Sequence, residues 1–400
     1  MLTLAECESL TTGRTASLFQ DDVDANRAAL SASLLGRSVL VIGAAGSIGC
    51  AVVKNILAFR PGALVLIDLS ENNLAEVVRD LRSSPHITLP QRFAALPIGL
   101  GNVECRRFLA EAEPFDYLFN LSALKHVRSE KDVFSLMRMI DTNVLFLDEL
   151  LASLPAEQTK VFSVSTDKAA NPTSVMGASK RLMELVLVGH SLRTAFSTAR
   201  FANVAFSDGS LPFAFLRRVE KQQPIAAPSD IRRFFMSHDE AGQLCLLSGV
   251  LGSNREGFLP KLESGIHERT FREIAVGLLQ RLGYEPYECA SEEEAKATAA
   301  RLIGQKKWPC LFLPSDTSGE KPREEFYCET ENIDWKRFKS VGVIRYPSPA
   351  AEQAAVRGFI EFAKAARRRS ASKSEYLAAF RDALPDFHHI ERERDLDQKM

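Results

Sequence analysis

Apolar residues along this chain gather into short continuous runs separated by longer stretches with helical spacing. Ser38-Val39-Leu40-Val41-Ile42 and Ala63-Leu64-Val65-Leu66-Ile67 are the clearest runs. Each has the length of a strand and the unbroken apolar character of one buried on both faces. Between them Val52, Val53, Ile56 and Leu57 recur at helical spacing. Further strands are expected around Phe93 to Ile98, Phe115 to Asn120, Lys160 to Val164 and Ser197 to Phe201, and Leu182, Met183, Leu185, Val186 and Val188 mark another helix. This alternation, with no turn-rich all-β section, predicts an α/β fold built on a doubly wound parallel sheet. Residues 1–36 are polar, helix-permissive sequence before the first strand and are expected to form an N-terminal helical extension.

The first strand runs directly into Gly43-Ala44-Ala45-Gly46-Ser47-Ile48-Gly49, and the second ends at Asp68. Glycines at 43, 46 and 49 let the backbone turn tightly and let a pyrophosphate approach the amides at a helix N-terminus, where the dipole favours negative charge. A carboxylate about 20 residues further on is placed to bind an adenosine ribose and to repel a 2′-phosphate. Strand, glycine turn, helix, strand and acid together predict a Rossmann-like site for NAD rather than NADP.

The stretch from Ser165 to Lys180 begins where the Lys160–Val164 strand ends and runs into the next helix. Thr166, Asp167 and Lys168 thus sit at a strand's carboxyl end, where open α/β sheets bind ligands. Pro172 holds a turn, and Gly177 and Ala178 keep the helix slim enough for something to lie against it.

Composition narrows the function classes. Among 400 residues, 50 are Lys or Arg and 51 Asp or Glu, so a general nucleic-acid or anionic-membrane binder is not expected. The seven cysteines are scattered without a Cys-x-x-Cys pair, which speaks against a metal site or disulfide framework and for reduced thiols. No apolar run approaches the ~20 residues needed to cross a bilayer, and the N-terminus lacks a signal-peptide layout. A cytoplasmic protein without membrane insertion is the expectation. Arg367-Arg368-Arg369 lie in an alanine-rich, charged helical segment and read as a solvated helix face.

The G-x-x-G-x-x-G spacing resembles the extended short-chain dehydrogenase/reductase superfamily. Thr166-Asp167-Lys168, Asn171-Pro172-Thr173 and Met176-Gly177-Ala178-Ser179-Lys180-Arg181 resemble the UDP-N-acetylglucosamine 4,6-dehydratases of bacterial surface-polysaccharide synthesis. The likeness continues through Leu124-Lys125-His126-Val127, Arg200-Phe201-Ala202-Asn203-Val204 and Arg233-Phe234-Phe235-Met236, with a weaker echo in Gly319-Glu320-Lys321 and Glu324-Glu325. Most of the superfamily uses a Tyr-x-x-x-Lys pair. Here Lys180 is present and Met176 replaces the tyrosine, as in the branch of the family that makes bacillosamine-type sugars.

The resemblance implies oxidation at sugar C4, loss of the acidified C5 proton, departure of water from C6 and return of the hydride to C6. Asp167 is then the acid, Lys168 the base and Thr166 a hydrogen-bond partner of the C4 oxygen; burial should raise the aspartate's pKa and lower the lysine's. The group that accepts the C4 hydroxyl proton is left open. Cofactor-binding positions implied are Gly43, Gly46, Ser47, Ile48, Gly49, Asp68, Ser122, Ala123, Lys125, Asn143 and Lys180. Substrate-binding positions are Lys125, His126, Met176, Asn203, Pro212, Arg233 and Glu320, with Arg233 expected at the diphosphate and Pro212 beside the uracil. Departures from the pattern include Gly99-Leu100 in place of Gly-Asp after the third strand, Ala202 in place of a common glycine, and Thr317-Ser318 before Gly319. The expected layout is an NAD-binding domain over 37–200, a mainly substrate-binding lobe over 201–345 with some return to the sheet, and a C-terminal helical segment over 346–400. The substrate implied is a UDP-sugar and the assembly a homodimer or higher homo-oligomer. A C4 epimerase or reductase, or a catalytically silent NAD-binding sensor, are the alternative readings.

Overall fold

The apolar runs form strands because each can bury both faces in a sheet with helices on either side. A computed structural model describes residues 2–126, 130–315, 319–349 and 352–389. Val127, Thr317 and Ser318 lie outside these residues, as does the chain beyond His389. The main sheet contains β1 (Ser38–Ile42), β2 (Ala63–Ile67), β3 (Arg92–Leu96), β4 (Tyr117–Asn120), β5 (Lys160–Val164), β6 (Phe196–Ala199), β7 (Glu256–Pro260), β8 (Ile333–Asp334) and β9 (Val341–Arg345). Their spatial order is β8-β9-β7-β6-β5-β4-β1-β2-β3. Strands β1 to β7 pair in parallel, and β9 is antiparallel to both β7 and β8. The expected doubly wound parallel sheet is present, with an antiparallel edge added from the far end of the chain.

Sheet order reverses between β1 and β4, so the loops after these two strands part and leave a crevice at their carboxyl ends. The strand expected to run to Ile98 stops at Leu96 because Pro97 has no N–H to give to a ladder.

A second, smaller core gathers Phe215, Phe235, Leu278 and Trp308 beside two three-stranded sheets. One contains Asn203–Val204, Arg232–Met236 and Glu268–Thr270; the other contains Ile225–Pro228, Lys307–Leu313 and Glu285–Glu288. The first 36 residues serve both cores. The helix Leu4–Thr12 puts Cys7 into the smaller one, while Val23, Leu30 and Leu34 enter the larger. Helices Glu352–Ala366 and Lys373–Ala383 pack on the helix Val175–His190, where Gln353 Nε2 donates to Leu185 O at 3.1 Å. All seven cysteines are free thiols.

Candidate active site

The glycine turn is locked from two sides. Gly43, at φ 78°, donates its N–H to Ile67 O at the end of β2 (2.8 Å), and Ala45 N–H donates to Asp68 Oδ2 (2.9 Å). A Cβ on Gly43 would lie 2.8 Å from the backbone of Leu121 and Ser122, and one on Gly49 would lie 2.2 Å from Gly43 O. Glycine is therefore required at both positions. At Gly46, by contrast, an added Cβ would touch only Gly43 O, at 3.7 Å, leaving open space above the helix that Ser47 and Ile48 begin. These features fit a pyrophosphate cradle. Asp68 Oδ1 accepts the Ser70 N–H at 2.9 Å, and each carboxylate oxygen keeps a further lone pair for a ribose hydroxyl.

Asp208, which the sequence reading did not single out, reaches this helix from the smaller lobe. Its Oδ2 accepts a hydrogen bond from Ser47 Oγ at 3.0 Å, and its N–H donates back to the same hydroxyl at 2.9 Å. Neighbouring Phe206 has φ 54°, and Lys125 Nζ donates to Ser207 Oγ at 3.5 Å. The loop over 205–210 thus spans from the glycine turn to Lys125 and to His126, whose ring lies over Gly209.

Asn143 sits inside the π-helical turn Asp141–Leu145, a distortion that recurs at functional sites. Its side chain clamps both the N–H and C=O of Leu124 and donates to Ser179 Oγ, all at 2.9 Å. Asn143 therefore fixes the loop carrying Ser122, Ala123, Lys125 and His126 against the helix that carries Met176 and Lys180. Lys180 is buried, and its Nζ donates to Val164 O at the end of β5 (2.8 Å). Burial lowers its pKa to about 8, outweighing the pull of Glu184.

Thr166 ends β5's extension and caps a single 3-10 turn, Asp167–Ala169. Its Oγ1 donates to Asp167 Oδ1 at 2.8 Å, and Lys168 Nζ donates to the same oxygen at 3.0 Å. Asp167 is 1% exposed and its Oδ2 has no partner. What lies against Gly177 is the chain itself, since a Cβ there would be 2.3 Å from Lys168 O. Met176 is buried, and its backbone N–H donates to Glu130 Oε1 at 2.9 Å.

Glu324 completes the cluster. Its Oε1 lies 3.4 Å from Lys168 Nζ and 3.6 Å from Arg233 Nη2, while Oε2 is buried without a partner. Its segment docks on the loop beyond Lys168. Thr173 Oγ1 donates to Gly319 O (3.2 Å) and Lys321 Nζ to Ala170 O (3.0 Å). One sequence expectation changes here. Burial does oppose the Lys168 ammonium, but Asp167 and Glu324 more than offset it, so the pKa is raised rather than lowered. Arg233, expected at a diphosphate, turns its guanidinium onto Arg232 O, Lys321 O and Glu320 Oε1 at 2.8, 2.9 and 3.1 Å. Through these bonds it anchors the Glu320–Glu324 segment.

Asn203 carries a buried amide Nδ2 with no partner, as a ligand contact requires. Pro212 lies buried in the first turn of the helix Leu211–Glu220, where its missing N–H costs nothing. Glu324 appeared in the sequence only as part of a Glu-Glu pair without local periodicity, so nothing there signalled its place beside Lys168.

By fold the chain is a Rossmann-like α/β protein with a large, mostly parallel central sheet. It belongs to the polysaccharide biosynthesis protein family, whose model matches residues 39–342. An uncharacterized membrane protein of Methanocaldococcus jannaschii is 30% identical over 78% of this chain and 86% of its own length. The capsular polysaccharide biosynthesis protein CapD of Staphylococcus aureus is 30% identical over 60% of this chain, which spans 41% of CapD. Among solved structures, Pen from Bacillus thuringiensis aligns with a TM-score of 0.64 at 22% identity, over 80% of this chain and 89% of that one. The UDP-glucuronic acid 4-epimerase from Bacillus cereus, solved with UDP-glucuronic acid and NAD, aligns with a TM-score of 0.55 at 15% identity, over 87% and 99%. These two structures share the fold of this chain. Among the described residues, no helix is long and apolar enough to cross a membrane.

Proposed function

We propose that the protein is an NAD-dependent 4,6-dehydratase acting on a UDP-N-acetylhexosamine, with UDP-N-acetylglucosamine as first choice, and that it serves surface-glycan synthesis. The observation that carries this reading is the Thr166-Asp167-Lys168 group at the carboxyl end of β5, with Asp167 buried at its centre, beside a helix in which methionine holds the tyrosine's position. An epimerase needs a proton carrier at residue 176, which a thioether cannot be. A dehydratase needs an acid and a base near C5 and C6, which Asp167 and Lys168 supply.

Gly43, Gly46, Ser47, Ile48 and Gly49 would hold the NAD pyrophosphate, Asp68 the adenosine ribose and Lys180 the nicotinamide ribose, with Ser122, Ala123, Lys125 and Asn143 framing the site. When bound, NAD would supply the hydride acceptor for C4 and the donor for C6. Thr166 orients the C4 oxygen, and Asp167 with Lys168 moves the protons at C5 and C6. Lys125, His126, Met176, Asn203, Pro212 and Glu320 line the sugar-nucleotide side in this reading. A 4-epimerase that shares the fold was solved with UDP-glucuronic acid and NAD, which supports both ligand classes. A cytoplasmic homodimer or higher homo-oligomer remains part of the proposal.

Replacing Lys168 by alanine tests the assignment. The product lighter than the substrate by one water should vanish, while UDP-sugar binding by calorimetry persists. A variant that still dehydrates, or a wild-type protein that binds without turnover, would return the weight to an epimerase or a silent binder.

A further inference from the structure

Lys168 faces three charged groups from three elements: Asp167 on its own turn, Glu324 on the docked segment and Arg233 on the strand Arg232–Met236. Two of them are carboxylates, at 3.0 and 3.4 Å from Nζ, and each keeps one buried oxygen without a partner. Glu324 is not a loose surface acid. Its side chain is 3% exposed, and its segment is pinned on both sides. Pro322 O accepts from Arg232 N–H at 3.3 Å, Phe326 O accepts from Arg200 Nη1 at 3.1 Å, and the Phe326 ring packs on Phe234.

Resting on the dehydratase reading, we propose that Glu324 is a positioning residue that, with Asp167, holds Lys168 as an ammonium. Lys168 then gives its proton to the departing C6 oxygen, and Asp167 takes the C5 proton through Oδ2. The C5–H pair becomes the C5–C6 double bond, the C6–O pair leaves with the oxygen, and that oxygen departs as water with the Lys168 proton. Asp167 returns its proton to C5 as the hydride reaches C6; the C4 hydroxyl proton passes to solvent when C4 is oxidised, and Lys168, whose side chain is 20% exposed, regains a proton from solvent after the water departs. This reverses the roles expected from the resemblance, in which the lysine is the base. Glu324 is what sets the direction, since an opposite charge at this range moves a pKa by about 1–3 units, enough to keep Lys168 protonated against the cost of burial.

The test is the pH profile of kcat/KM for methyl-sugar formation in wild type and in Glu324→Gln, with Glu324→Asp as the conservative control. If Lys168 acts as the ammonium, losing the carboxylate lowers its pKa, so activity should fall off on the alkaline side about 1–3 pH units earlier. Glu324→Asp should restore most of that limb. If Lys168 acts as the free base, the same substitution raises activity near neutral pH, and the proposal is overturned. An unshifted profile with only a lower kcat or higher KM means that Glu324 merely holds structure, which also overturns it.

A second readout does not depend on the reaction. The Lys168 resonance after reductive 13C-methylation should titrate lower in Glu324→Gln than in wild type, and an unmoved titration refutes the coupling. Absence of methyl product from the wild-type protein would overturn the dehydratase reading, whereas a wild-type product with an unmoved Lys168 would overturn only this inference.

Discussion

Arg200→Met removes the centre of a charge cluster in which Arg200 and Glu184 are both fully buried. The Arg200 guanidinium is fully buried and donates to both oxygens of Glu184 (2.7 and 2.6 Å), to both of Glu331 (2.8 Å each) and to Phe326 O (3.1 Å). Arg181 Nη1 lies 3.0 Å from Glu184 and 3.6 Å from Glu331, so two arginines balance two carboxylates. Loss of one leaves a buried negative charge uncompensated, which costs about 3–5 kcal/mol. The titration of Glu184 gives a similar figure. Burial alone would raise its pKa, yet Arg200 and its neighbours bring it down from 4.5 to about 2, a shift worth about 3 kcal/mol. Because the folded pKa is depressed, that stability is fully present above pH ~4.5 and is lost as pH falls towards ~2. Urea unfolding of both proteins at pH 7 and again near pH 3 should show a deficit of about 3–5 kcal/mol that narrows in acid. A deficit below about 1 kcal/mol at pH 7, or one that does not change with pH, would refute the account of this cluster. Ser165 Oγ also donates to Glu184, at 2.7 Å. Through these bonds the cluster ties the turn before Thr166 to the segment that carries Glu324.

Two further substitutions probe the cofactor cradle. Gly49→Ala forces a methyl to 2.2 Å from Gly43 O and 2.7 Å from the Ala44 backbone. It should cost about 1–3 kcal/mol in urea unfolding and weaken NAD binding by calorimetry, and a variant of wild-type stability and affinity would contradict the tight packing. Asp68→Asn keeps the shape and an acceptor for Ala45 N–H but removes the charge that, in the proposed function, would face the ribose. The ratio of NADP to NAD affinity should rise, and an unchanged ratio would show that Asp68 does not set the preference.

The parts of the fold that local pattern controls were legible in the sequence. β1, β2 and β5 occupy the segments that their apolar runs predict, whereas Pro97 shortens the third strand, the fourth begins at Tyr117 rather than Phe115, and the sixth runs over Phe196–Ala199 rather than Ser197 to Phe201. The glycine turn was legible for the same reason, because its chemistry is contained in consecutive residues. Groups that meet across the chain were not. Glu324 approaches Lys168 through a segment pinned by Arg233 and Arg200, and Asp208 crosses from the smaller lobe to Ser47. Neither contact leaves a periodic or spaced signal. The direction of the Lys168 shift failed for the same cause: burial was foreseeable from its place after β5, whereas the second carboxylate was not. The N-terminal helices were expected as an extension, but nothing in their polar sequence indicated that Cys7 enters one core and Leu30 the other.

The central claim is dehydration, and its most direct test is proton NMR of the purified protein with UDP-N-acetylglucosamine in deuterated water and no added cofactor. The account predicts a new C6 methyl signal with deuterium at C5, formed by NAD that the protein carries and regenerates. An unchanged sugar spectrum, with NAD and UDP-sugar binding established separately, would contradict it.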